Sequence, residues 1–133
     1  MNIFEKILKG LTEEGVQYLV VGGVAVNLYG YLRGTADLDI LVLLEEENLE
    51  RMTDAMRKLG YTERLPIKIQ ELQNEAFAKK LIEERNLLAF SYTPDGDVPV
   101  IVDVIVDGSL RFKELFERSV IKKLDGFDVP VVS

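Results

Sequence analysis

Apolar residues recur at helical spacing over positions 2 to 14, where Ile3, Phe4, Ile7, Leu8 and Leu11 share one face and Gly15 supplies a stop. Gln17 to Val21 reads as a short buried strand that breaks at Gly22-Gly23. Val24 to Tyr29 is then a helical-looking apolar segment closed by Gly30, so the first unit is strand, glycine turn, helix. Asp37 to Leu44 forms a second strand. Glu45 to Leu59 follows as a helix with Leu49, Met52, Met56 and Leu59 on one stripe and three acids in its first turn, where they favour the helix dipole. Ile69, Leu72, Ala76 and Leu81 predict a further helix over 69 to 84. Leu87 to Tyr92 and Val98 to Val106 flank Thr93-Pro94-Asp95-Gly96-Asp97 and predict a hairpin. Ser109 to Ser119 reads as a helix with Leu110, Leu115 and Phe116 inward, and Val120 to Val132 as a terminal hairpin around Asp125-Gly126. Interleaved strands and helices with one clear hairpin predict an α+β fold, a mixed sheet flanked by helices, in one domain over residues 1–133.

Three acids interrupt this pattern. Asp37 and Asp39 sit in the apolar run Asp37-Leu38-Asp39-Ile40, and alternation along a strand puts both on one face with Leu38 and Ile40 on the other. Two like charges side by side in an apolar setting need a cation or open water. Asp103 stands among six aliphatic residues in Val100 to Val106, a poor choice for a strand that merely faces solvent. If the two strands are neighbours, the three carboxylates form one patch of negative charge. Hard divalent cations such as Mg²⁺ bind carboxylate oxygens and keep water and phosphate oxygens as their other ligands. Glycines at a strand-to-helix turn, here Gly22-Gly23, let backbone N–H groups approach a phosphate.

Composition narrows the chemistry further. The chain has no Cys and no His, which excludes disulfides, thiolate nucleophiles, Cys/His zinc sites and imidazole acid–base catalysis. A net charge of −7 argues against a broad surface for duplex nucleic acid and makes a long nucleic-acid substrate a poor fit. No apolar run approaches the roughly 20 residues that cross a bilayer, and the amino terminus lacks a signal-peptide core, so a cytoplasmic protein without a membrane partner is expected.

Gly22-Gly23, a short helix, Arg33-Gly34-Thr35-Ala36-Asp37-Leu38-Asp39-Ile40 and, much later, Val102-Asp103-Val104 together resemble the DNA polymerase beta-like nucleotidyltransferase superfamily. The likeness is greatest to its small stand-alone members, including minimal nucleotidyltransferases and those of bacterial toxin–antitoxin and abortive-infection systems. It is strongest over residues 18 to 43 and 100 to 106, and weaker over Lys80 to Tyr92 and Phe112 to Val132. The resemblance implies the nucleotidyltransferase fold, two Mg²⁺ ions held by Asp37, Asp39 and Asp103, and an NTP, such as ATP, whose phosphates rest on Gly22 and Gly23. The implied reaction moves an NMP to a hydroxyl on a protein, an RNA or tRNA end, or a small molecule. Two features depart from the family's pattern. Gly23 stands where many active members carry Ser, and the chain ends where similar proteins continue into a further helix.

Each part also has a plainer reading. Asp37 could cap a turn, and Asp103 could pair with Arg33 or Arg111. Arg33 suits either an ion pair with the acids or a phosphate contact, Thr35 suits a loop hydroxyl bonded to backbone, and Tyr29 and Tyr31 suit packing as well as base stacking. The alternatives to an enzyme are a catalytically inactive nucleotide-binding module and a toxin–antitoxin partner subunit. An apolar surface left by a missing helix would also suit a homo-oligomer.

Overall fold

A computed structural model of the protein describes residues 2–22, 37–85, 89–96, 100–106 and 111–133. The first helix, α1 (Ile3–Glu13), starts where Asn2 adopts an extended conformation and its side chain accepts a 2.9 Å hydrogen bond from Glu5 N. Its predicted apolar face is buried through Phe4, Ile7, Leu8 and Leu11. Strands β1 (Tyr18–Val21) and β2 (Asp37–Val42) follow, then helix α2 (Glu46–Lys58), which buries Leu49, Met52, Ala55 and Met56. The helix predicted over Val24 to Tyr29 lies outside the described residues.

Asn48 joins these pieces. Its Oδ1 accepts from Gln17 N at 2.7 Å, while its Nδ2 donates to Gln17 O at 3.1 Å and Leu43 O at 2.8 Å. One buried amide thus ties the start of β1, the end of β2 and the first turn of α2.

The helix predicted over 69 to 84 is two elements. A short 3-10 turn (Ile69–Gln73) ends at Asn74, whose backbone is extended and whose Oδ1 accepts from Phe77 N at 3.1 Å. Asn74 therefore caps a new helix, α3 (Glu75–Arg85), and the change of direction leaves Ala76 exposed instead of inward. Strand β3 (Tyr61–Glu63) has too few residues to show a period and is not apparent in the sequence. It is anchored by Tyr61, whose buried hydroxyl donates to Val100 O at 2.6 Å.

The predicted hairpins are both present. Strand β4 (Ala89–Pro94) pairs antiparallel with β5 (Ile101–Ile105), and β6 (Val120–Leu124) pairs antiparallel with β7 (Phe127–Val131). Leu124 stands opposite Phe127, which leaves the two-residue turn Asp125-Gly126 with Gly126 at φ +84°, the left-handed backbone such a turn demands. Between β5 and β6, helix α4 (Phe112–Glu117) is shorter than predicted and buries no side chain. Phe116 faces outward and stacks on Phe112, ring centroids 5.3 Å apart.

The seven strands form one mixed open sheet in the order β3-β4-β5-β2-β1-β7-β6, flanked by helices in an α+β architecture. β2 is antiparallel to β1 and parallel to β5, and β7 is parallel to β1. Leu38, Ile40, Val102, Val104, Phe90, Tyr92 and Val20 point to the face that carries the core, where they meet Ile7, Leu8, Leu11, Met52 and Met56. Among the described residues, no helix is long and apolar enough to cross a membrane.

Candidate functional site

The parallel pairing of β2 with β5 aligns Leu38 with Val102, Asp39 with Asp103 and Ile40 with Val104. The apolar partners turn into the core, so the aspartates emerge side by side on the opposite face. Neighbouring strands lie about 4.8 Å apart, which brings the carboxylates of Asp39 and Asp103 within range of one cation. Asp37, exposed at the start of β2, shares their face two residues away, opposite Ile101.

The electrostatics follow from this register. Asp39 is half-buried, and its carboxyl is held above the usual carboxylate range, first by loss of water, then by the charge of Asp103, then by that of Asp37. No basic side chain relieves it among the described residues. The ion pairs Lys9–Glu13, Arg51–Glu47, Lys58–Glu14, Lys79–Glu83 and Lys113–Glu45 lie elsewhere. Arg111, one candidate partner for Asp103, makes no ion pair with it.

Gly22 closes the other side of Asp39. Val21 stands opposite Asp39 in the β1–β2 ladder, and the chain then turns at Gly22 with φ +73°. A Cβ at that position would lie 2.5 Å from Asp39 Oδ2 and 3.2 Å from its Cγ. Only glycine leaves room for the carboxylate, and only glycine takes this backbone conformation without strain. Gly23, Arg33 and Thr35 lie outside the described residues, as do Tyr29 and Tyr31.

One member of the site is absent from the sequence reading. Ser91 on β4 stands opposite Asp103, and its hydroxyl donates a 2.6 Å hydrogen bond to Asp103 Oδ1. The alternation of buried Phe90 and Tyr92 already places Ser91 on the outer face of β4; its pairing with Asp103 needs the register. Val21, Asp39, Asp103 and Ser91 therefore form one row across β1, β2, β5 and β4.

The donor set consists of hard oxygens, which suits a hard divalent cation, and the space kept open by Gly22 lies against one of those oxygens. Among the described residues, no three carboxylates converge into a ready-made metal cage. A Mg²⁺ site that shares its ion with substrate phosphates requires only one or two carboxylates, the remainder of the octahedron being water and phosphate. Asp39 and Asp103 meet that requirement. A groove of about 900 Å³ lies away from this row, at the C-terminal ends of β2 and β5 between α3 and α4, with Leu41, Ala78, Ile82, Ile105 and Phe112 in its lining. None of the three aspartates lines it.

A scan of the chain against protein-family models finds no match, and a search of curated proteins finds none either.

Proposed function

We propose that the protein is a Mg²⁺-dependent nucleotidyltransferase that moves an NMP from an NTP to a hydroxyl acceptor and releases pyrophosphate. The observation that carries this reading is the register of β2 against β5, which sets Asp39 beside Asp103 with Asp37 on the same face and no basic partner among the described residues. The resemblance of Gly22-Gly23, Arg33 to Ile40 and Val102 to Val104 to the polymerase beta-like nucleotidyltransferases supports it.

In this reading Asp39 and Asp103 hold the metal, and Asp37, on the same face, is assigned to it by the resemblance. When bound, Mg²⁺ neutralises charge on the phosphates and aligns the attacking and leaving oxygens. Asp103, in a chain without histidine, takes the proton of the acceptor hydroxyl as that oxygen bonds to the α-phosphorus and pyrophosphate departs. Burial of Asp39 and its repulsion by Asp103 and Asp37, which no basic side chain among the described residues relieves, are costs that a cation bound there would lessen. Gly22 keeps the Asp39 carboxylate in place, while Gly23, Arg33 and Thr35 are assigned to the phosphates by the resemblance alone.

The test is thermal unfolding of the wild type and the Asp37→Asn/Asp39→Asn variant with ATP, GTP, CTP or UTP, with and without Mg²⁺, alongside an assay of pyrophosphate release. A ligand at about 100 times its Kd stabilises the native state by about 2.7 kcal/mol. A Mg²⁺-dependent shift and pyrophosphate release, both lost in the variant, are the expected result. A shift without release would favour the inactive binding module, and no shift with any nucleotide would refute the site.

A further inference from the structure

Asp103 is held from the side away from Asp39. β5 lies between β2 and β4, so Asp103 has a carboxylate opposite it on one neighbour and the Ser91 hydroxyl opposite it on the other. The hydroxyl donates to Oδ1 at 2.6 Å. Ser91 itself is fixed by the strand that carries it: Phe90 and Tyr92 on either side are buried in the core and meet edge to face, ring centroids 5.3 Å apart. An oxygen that already accepts a short hydrogen bond is the poorer metal donor, which leaves Oδ2 as the oxygen offered to a cation. Mg²⁺ demands near-octahedral geometry at short distances, whereas Ca²⁺ accepts carboxylates through one oxygen or both in looser shells. Groups that orient a ligand in this way set metal affinity without touching the ion.

We infer that Ser91 is a positioning residue that holds Asp103 as a single-oxygen ligand and so biases the Asp39–Asp103 pair toward Mg²⁺ over Ca²⁺. The inference rests on the nucleotidyl-transfer reading of the same acids.

The test uses the full chain as wild type, Ser91→Ala and Ser91→Thr, with thermal unfolding to establish that each is folded. Mn²⁺ is titrated in the presence of a non-hydrolysable NTP analogue, free Mn²⁺ is read by electron paramagnetic resonance, and Mg²⁺ or Ca²⁺ is added as competitor. Ser91→Ala should weaken Mg²⁺ competition about tenfold while leaving Ca²⁺ competition unchanged. Ser91→Thr, which keeps the hydroxyl on a β-compatible side chain, should restore the wild-type ratio. An unchanged Mg²⁺-to-Ca²⁺ ratio in Ser91→Ala, or failure of Ser91→Thr to restore it, would overturn the role of Ser91 alone. If Ser91→Ala does not fold, Ser91→Cys, with a weaker donor of similar shape, should show the same loss of Mg²⁺ preference, and a wild-type ratio there would overturn the inference. Wild-type protein that binds no Mn²⁺ would remove the underlying metal–nucleotide reading and this inference with it.

Discussion

Replacing Gly22 by Ala tests the packing that frames the acidic row, because two separable costs meet at that position. The backbone at φ +73° costs an L-residue about 1 kcal/mol whatever surrounds it. The added methyl would also lie 2.5 Å from Asp39 Oδ2, with Asp39 Cβ and Cγ at 3.1 and 3.2 Å. Rotating the carboxylate about its last bond moves Oδ2 but leaves Cβ and Cγ close, so the side chain must leave its rotamer or the strand must yield, at about 1 kcal/mol or more. Gly22→Ala should therefore destabilise the protein by about 2–3 kcal/mol. A double-mutant cycle by urea unfolding separates the parts. In an Asp39→Ala background the methyl meets no Oδ2 or Cγ, and the cost of Gly22→Ala should fall to about 1 kcal/mol. In Asp39→Asn, which keeps the shape of the side chain, the full cost should remain. Equal costs in all three backgrounds would refute the argument that glycine is required by the carboxylate, leaving only its backbone conformation.

Two further predictions concern charge and buried polarity. Asp39 binds its proton more tightly in the folded than in the unfolded chain, so stability falls as pH rises from the unfolded value near 3.8 through the raised folded value. Metal-free Asp39→Asn should lack that segment of the pH profile and be more stable than wild type at pH 7 by urea unfolding; equal or lower stability would contradict the cost of burying the Asp39 charge beside Asp103 and Asp37. Asn48→Asp retains the acceptor for Gln17 N but turns the oxygen that replaces Nδ2 toward Gln17 O and Leu43 O, and should cost about 3 kcal/mol at pH 7. Because a protonated carboxyl can donate one of those bonds, the deficit relative to wild type should shrink at pH 4, and a deficit independent of pH would refute the reasoning.

The positions of the core faces were legible because they depend on local period. Leu38 and Ile40 alternate with Asp37 and Asp39, and Val102 and Val104 flank Asp103, so the acids had to share a face separate from the core wherever the strands lay. Asp125-Gly126 announced its two-residue turn for an equally local reason, the left-handed backbone at Gly126. The predicted helix over 69 to 84 ran through Asn74 because apolar spacing continued across it, while the cap formed by its side chain ends one element and begins another.

Pairing between distant strands has no such local signature. That β2 lies parallel to β5, that Asp39 and not Asp37 stands opposite Asp103, and that Ser91 reaches Asp103 from β4 all depend on the sheet order and on the docking of the core beneath it. A shift of one residue in any of those ladders would turn the acids into the core, and the burial of Leu38, Ile40, Val102 and Val104 is what forbids it. The sequence alone determined which residues carry the charge and which face they occupy. The tertiary structure decided which of them meet, because register is set by the joint burial of strands far apart in the chain.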